Sequence, residues 1–312
     1  MLIWGSDQFV NGAAGLAKTL KVSPLIIGLV IVGFGTSAPE MLVAAVAGWD
    51  GDTSLAIGNA LGSNITNIAL VIGVTAMLTP LTVRSALLKR EFPALFLIMG
   101  VTLALFMDGE LSRMDGVILL AGLVVFIAWM VHLGKRSQIE NHDPLEDEFI
   151  EELPAEMPIR KAIIWLLIGL VALLIGAKLV VWGAVAIAHH FGVSDLVIGL
   201  TIVAIGTSLP ELATTIASAR KGEDDIAIGN ILGSNMFNLL GVLGIPAVLH
   251  PARFDHQVLI RDFPIMIILT IVLFLLSRFP NDKEGGTIGR IGGAGLTIAF
   301  ISYLFLLYAM AS

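Results

Sequence analysis

The chain contains no cysteine, so disulfides and thiolate metal sites are excluded, and the redox compartment cannot be read from it. Charge is almost as scarce: 14% of the residues are charged, against roughly 25% in soluble domains. A deficit of that size excludes an ordinary globular enzyme. Extramembrane sequence is lacking too. Only one connection is long, residues 134–160, and it carries eight of the 25 acids. The net charge of −7 comes mainly from that loop, so it gives no reason to expect a nucleic-acid partner. No cleavable signal peptide is visible, because the first apolar segment runs straight into the rest of the chain. No metalloprotease helix motif or nucleophile–base arrangement appears either, and no enzyme is expected.

What remains is apolar: 56% of the residues, with a mean hydropathy of +0.92. About 20 predominantly apolar residues are needed to cross a bilayer as a helix. Ten segments qualify: 2–20, 24–49, 53–78, 91–107, 114–133, 161–190, 194–220, 225–249, 258–277 and 287–311. The expected fold class is therefore an all-α membrane protein of ten transmembrane helices. Basic residues set the orientation. With ten spans, 14 of the 18 Lys and Arg fall on one side, Lys18, Arg84 and Lys221 among them. That predicts a cell (inner) membrane protein with both termini on the non-cytoplasmic side.

The chain also matches itself, without a gap, at an offset of 171 residues. Gly35-Thr36-Ser37-Ala38-Pro39-Glu40 returns as Gly206-Thr207-Ser208-Leu209-Pro210-Glu211. Gly58-Asn59-Ala60-Leu61-Gly62-Ser63-Asn64 returns as Gly229-Asn230-Ile231-Leu232-Gly233-Ser234-Asn235. Between residues 24 and 67, 21 of 44 positions are identical. Five spans separate equivalent points, and an odd number turns the second copy upside down. The organisation expected is a first five-helix repeat over 1–133, an acidic cytoplasmic loop over 134–160, and a second, inverted repeat over 161–312. The counterpart of the start of span 6 would precede Met1, so span 1 is expected to fall short by about three turns, either because the start lies upstream or because the first helix is stunted.

Identity between the copies peaks at polar positions inside the membrane. Glu40 and Glu211 lie mid-span, where a carboxylate costs at least ~2.5 kcal/mol on insertion scales and normally faces a cavity or a partner. Thr36 and Ser37 share the helical face of Glu40, and Thr207 and Ser208 repeat the device beside Glu211. Pro39 and Pro210 lack an N–H and open the helix there, freeing carbonyls that can ligate an ion where backbone lines a cavity. In the following spans Asn59, Ser63 and Asn67 lie on one face, as do Asn230, Ser234 and Asn238. Gly58, Gly62, Gly229 and Gly233 are expected to let helices approach closely. The donor set is all oxygen, which suits hard cations such as sodium and calcium. The six histidines lie near span ends and read as interfacial.

Gly-Thr-Ser-x-Pro-Glu followed by Gly-Asn-x-x-Gly-Ser-Asn-x-x-Asn, present twice, resembles the two alpha-repeats of the sodium/calcium exchanger family. The likeness is to its short prokaryotic members and covers nearly the whole chain. It implies alternating access, with sodium entry driving calcium extrusion; Ca2+ and Na+ are cargo and no cofactor is implied. Carried over, the resemblance makes Glu40, Glu211, Asn67 and Asn238 the central ligands. Thr36, Ser37, Ser63, Thr207, Ser208 and Ser234 would add hydroxyls, and Gly33 and Ala204 carbonyls. Some relatives carry an aspartate in place of Asn238 as part of a potassium site, so Asn238 argues against potassium dependence. In the family spans 1 and 6 look like the pair that slides to switch access. The partners implied are the two ions and the lipid bilayer; no obligate protein partner follows.

The alternative is a proton/calcium antiporter, but relatives of that kind place an extra glutamate where this chain has Ala60, Leu61, Ile231 and Leu232. A passive cation channel is disfavoured by the inverted repeat with broken helices. Asp7 and Lys178 occupy equivalent positions and are expected to pair. The acidic loop lacks the spaced oxygens of an EF-hand and reads as a solvated linker, as does Glu223-Asp224-Asp225.

Overall fold

The computed structural model describes residues 2–20, 24–51, 53–139, 157–190, 204–278 and 285–311. In chain order the helices are α1 (Leu2–Leu20), α2 (Pro24–Ile27), α3 (Gly33–Thr36), α4 (Ala38–Asp50), α5 (Thr53–Thr66), α6 (Gly73–Leu78), α7 (Ser85–Phe106) and α8 (Arg113–Ile139). They continue as α9 (Ile159–His190), α10 (Ala204–Thr207), α11 (Leu209–Arg220), α12 (Asp224–Phe237), α13 (Gly244–Leu249), α14 (Phe263–Leu276) and α15 (Arg290–Ala311). Short π-helical turns join several of them, at Gly28–Val32, Asn67–Ile72, Asn238–Val242 and Val258–Asp262.

Among the described residues, six helical stretches are long and apolar enough to cross a membrane, or seven if the bent pair Gly28–Thr36 and Ala38–Asp50 counts as one. The remaining expected spans are 2–20, 91–107 and 194–220. The first two are helical, within Leu2–Leu20 and Ser85–Phe106, and the third begins in residues outside those described.

Burial sorts the spans into layers. In Asp224–Leu249, 89% of the apolar window is buried, against 22% in Arg113–Leu133 and in Arg290–Met310. The two polar-faced helices thus sit in the middle, and the uniformly apolar ones turn outward with Ile291, Phe305 and Val124 exposed. Lipid, not water, is the solvent such a surface fits. Two small antiparallel ladders tie distant segments together. Leu81–Arg84 (β1) pairs with Gly285–Ile288 (β4), and Glu110–Leu111 (β2) with Ala252–Arg253 (β3). Each ladder joins one half of the sequence to the other.

Three expectations are corrected here. First, Asp7 does not pair with Lys178, whose side chain is exposed. Its carboxylate lies 3.5 Å from Lys221 Nζ, which also donates to Asp7 O at 2.7 Å and to Asn11 Oδ1 at 2.9 Å. The reason is packing: α1 lies against the end of α11 as well as along α9. Second, Asp224 and Asp225 are not a solvated linker. They open α12, where carboxylates complement the helix dipole; Asp224 Oδ2 accepts from the Thr82 N–H at 2.9 Å, and Asp225 is buried. Third, the glycines are not equivalent. Gly233 is pressed onto the Leu29 backbone, whereas a Cβ at Gly58 or Gly62 would meet open space.

The Lys221 contact has a pH signature. Burial lowers its ammonium below the ordinary 10.5, with Asp7 opposing the shift. The unfolded chain then holds this proton more tightly than the folded one, so stability rises as pH climbs toward 10.5. Thermal unfolding of the purified protein in detergent is expected to show that rise, and Lys221→Met to flatten it. An unchanged pH slope in the variant would refute the assignment.

Candidate cation site

The two Pro-Glu motifs build the site by breaking helices. Pro39 and Pro210 each stand second in their helix, and the preceding serines leave helical geometry, with φ −80°, ψ 1° at Ser37 and φ −86°, ψ 6° at Ser208. The segments either side of Ser37 are bent by 51°. Gly35 and Gly206 lie four residues before a proline, so their carbonyls lose the usual helical donor. The Gly33 carbonyl, by contrast, accepts from the Ser37 N–H at 3.0 Å. Ala204 begins its helix, two residues ahead of Gly206.

Asn67 and Asn238 each begin a π-helical turn at symmetry-related positions. Such turns shift the helical register and are common at functional sites. Nothing in the periodicity of the sequence announces them.

The side chains of the two halves interlock around the breaks. Thr36 Oγ1 donates to Asn230 Oδ1 at 2.9 Å. Ser37 donates to Ser234 Oγ at 2.8 Å, and Ser234 in turn to Glu211 Oε1 at 3.2 Å. Asn67 Nδ2 reaches Ser234 Oγ and Asn235 Oδ1, both at 3.0 Å. Asn238 Nδ2 donates to Asn64 Oδ1 at 3.0 Å. Ser63 is buried on the same helix as Asn64. Asn59 and Asn230 brace the breaks from behind, donating to the carbonyls of Glu40 and Glu211 at 3.3 and 3.4 Å.

Asn64 and Asn235 were absent from the expected ligand set, yet they join the halves by orienting Asn238 and Asn67. Their signal was available, since both belong to the repeated motif.

Glu40 and Glu211 are each 1% exposed, and they interact electrostatically across the interface. Thr207 lies beside the Glu40 carboxylate, but neither Glu40 oxygen has a partner in full hydrogen-bond geometry. The same holds for Glu211 Oε2, Asn67 Oδ1, Asn238 Oδ1 and Ser208 Oγ. Buried polar atoms are nearly always satisfied, so six orphaned oxygens in one neighbourhood call for a reason. No cationic side chain supplies it: the groups acting on Glu40 and Glu211 among the described residues include no Lys, Arg or His. Nor is there any cluster of three His, Cys, Asp or Glu among the described residues. The chemistry left is a mixed carboxylate, amide and hydroxyl cage, which fits a hard cation.

The family model described as sodium/calcium exchanger protein matches residues 1–132 and 161–309. The chain belongs to the sodium/calcium exchanger family. It is 48% identical over 310 residues to the putative antiporter CaxA of Alkalimonas amylolytica, covering 99% of this chain and 96% of that protein. It is 40% identical over 308 residues to the inner membrane protein YrbG of Escherichia coli (strain K12), covering 99% and 94%. Among solved structures, the sodium-calcium exchanger NCX_Mj soaked with zero Na+ and Ca2+ superposes with a TM-score of 0.82 at 31% identity, covering 98% of this chain and 94% of that one. The fold is thus that of a mostly helical, multi-pass membrane exchanger, and the family is one of cation/Ca2+ antiporters.

Proposed function

We propose that this exchanger carries sodium against calcium by alternating access, with Glu40 and Glu211 as the charged ligands of a shared site. The observation that carries the reading is the set of orphaned buried oxygens around two carboxylates that no Lys, Arg or His neutralises among the described residues. Asn67, Asn238, Thr36, Ser37, Ser63, Thr207, Ser208 and Ser234 complete the donor set, with carbonyls from Gly33 and Ala204. Ten spans in two inverted repeats, 1–133 and 161–312, frame the site, and both termini face away from the cytoplasm.

Two carboxylates compensate one calcium and are overcompensated by three sodium ions. The sodium-loaded carrier then bears about one net charge, worth about 2.3 kcal/mol across 100 mV, so exchange is electrogenic and extrudes calcium. Shared ligands couple the ions, because neither set binds while the other is complete. Resident cofactors have no part in the cycle.

The test is calcium-45 uptake into sodium-loaded proteoliposomes, compared with liposomes in equal sodium on both sides. Uptake is expected only with the outward sodium gradient, accelerated by an inside-positive potential and slowed by an inside-negative one, because one net positive charge leaves the liposome per cycle. Uptake driven by a pH gradient and indifferent to sodium would move the chain to proton coupling. Uptake needing no counter-ion would refute antiport.

A further inference from the structure

The two halves differ in one buried strip. On α11, Glu211, Thr214, Thr215 and Ser218 fall at i, i+3, i+4 and i+7, one face of the helix. All are buried. Thr215 is engaged by Asn230 Nδ2 at 2.9 Å, but Thr214 Oγ1 and Ser218 Oγ have no partner. Thr75 on α6, which packs against α11, is buried and unpartnered in the same way.

Hydroxyls in these helices usually bond the carbonyl one turn back. Thr102, Thr270, Ser277, Thr297 and Ser302 all do so, at 2.7–3.0 Å. Thr75, Thr214 and Ser218 decline that bond, which costs a buried hydroxyl dearly unless something else visits it.

The positions 171 residues earlier tell the opposite story. Thr214, Thr215 and Ser218 correspond to Val43, Ala44 and Ala47, and Thr75 to Pro246. Alongside them Gly48 lets α4 close onto α13, where a Cβ would come within 2.7 Å of Pro246 Cα. One interface is apolar and shut tight; its mirror image is lined with idle hydroxyls leading away from Glu211.

We infer that the Thr214–Ser218 face of α11, with Thr75 on the facing helix, is the ion route between Glu211 and the membrane face bearing Lys221, taking partly hydrated hard cations. The inference rests on the antiport reading for the identity of those cations. The symmetry-related interface of Val43, Ala44 and Ala47 is not a route, so access on the two sides of the membrane follows different paths through an otherwise symmetric fold. Hydroxyls suit such a route because they replace part of a hydration shell without the charge that would trap the ion. In this conformation the route is closed, since its lining residues are fully buried.

The absence of cysteine makes the test direct, because one introduced thiol is then the sole thiol in the chain. Ser218→Cys and Thr214→Cys, each in the full chain in proteoliposomes, are exposed to an impermeant cationic methanethiosulfonate reagent with sodium or with calcium present. Modification is expected from one side of the membrane, with a rate that changes between the two ions, whereas Ala47→Cys resists from both sides. Failure of both α11 thiols to react under every condition would overturn the route, as would equal reactivity of Ala47→Cys. In parallel, Thr214→Val with Ser218→Ala is expected to slow exchange about tenfold, the effect of one lost oxygen ligand, while calcium binding in detergent is unchanged and Thr214→Ser exchanges normally. Loss of calcium binding along with rate would instead make these hydroxyls part of the site or of the fold. If wild-type protein exchanges neither ion, the antiport reading fails, and the thiol accessibilities still report on the route.

Discussion

Glu40→Gln is expected to abolish calcium exchange while leaving the protein at least as stable as before. The substitution keeps the shape of the side chain and removes one of two buried negative charges. Breaking charge compensation in a buried site costs about 3–5 kcal/mol, or roughly 10²–10⁴ in affinity. Glu211→Gln is expected to act alike. The folded protein without bound ions gains from the change, because two buried like charges in electrostatic reach oppose folding. Thr207 beside the Glu40 carboxylate can donate equally to a glutamine oxygen, whereas Glu211 would weaken its bond from Ser234. Calcium titration and thermal unfolding of the same ion-free preparation separate the two effects. Wild-type affinity in Glu40→Gln would remove this carboxylate from the site, and a large loss of melting temperature would make its role structural.

Gly233→Ala and Gly62→Ala occupy equivalent places in the repeated motif and are expected to behave in opposite ways. A Cβ at Gly233 would overlap the Leu29 carbonyl oxygen and backbone, which cannot rotate away. Overpacking of this kind costs about 1–3 kcal/mol, occasionally more, and backbone contact puts Gly233 at the upper end. The displaced segment, Gly28–Val32, runs directly into the broken helix carrying Thr36 and Ser37. Exchange should therefore fall with stability. At Gly62 no atom lies within 4 Å of the added methyl, and replacing a helical glycine by alanine is worth about 0.5–1 kcal/mol in favour of folding. Melting temperatures and exchange rates of the two variants decide the matter; equal losses would mean that the motif glycines serve one common purpose.

Those opposite outcomes mark the boundary of what motif reading reveals. The Thr-Ser-Pro-Glu and Asn-Ser-Asn elements were legible because a charged or amide side chain inside an apolar run has few reasons to persist, and because each element occurs twice. The helix breaks at Ser37 and Ser208 were legible for a local reason, the missing proline N–H. The partner of Asp7 was not. Symmetry in the sequence suggested Lys178, but which cation an acid meets depends on how helices cross, and α1 crosses the end of α11 at Lys221. Asp224 and Asp225 were misread because a charge run looks alike whether it is solvated or caps a helix; the Thr82 backbone decides it.

By itself, then, the sequence determined that this chain lives in a membrane, that its two halves repeat one set of motifs, and that two glutamates within apolar spans sit among hydroxyls and amides at equivalent points. Those properties follow from composition, hydropathy and self-similarity, which need no coordinates. Only the tertiary structure decided which oxygens are satisfied and which are left over, where π-turns rotate Asn67 and Asn238, and how two copies of one motif come to differ. The reason is that hydrogen bonding and close packing depend on what lies opposite a residue, and at this site the residue opposite belongs to the other half of the sequence.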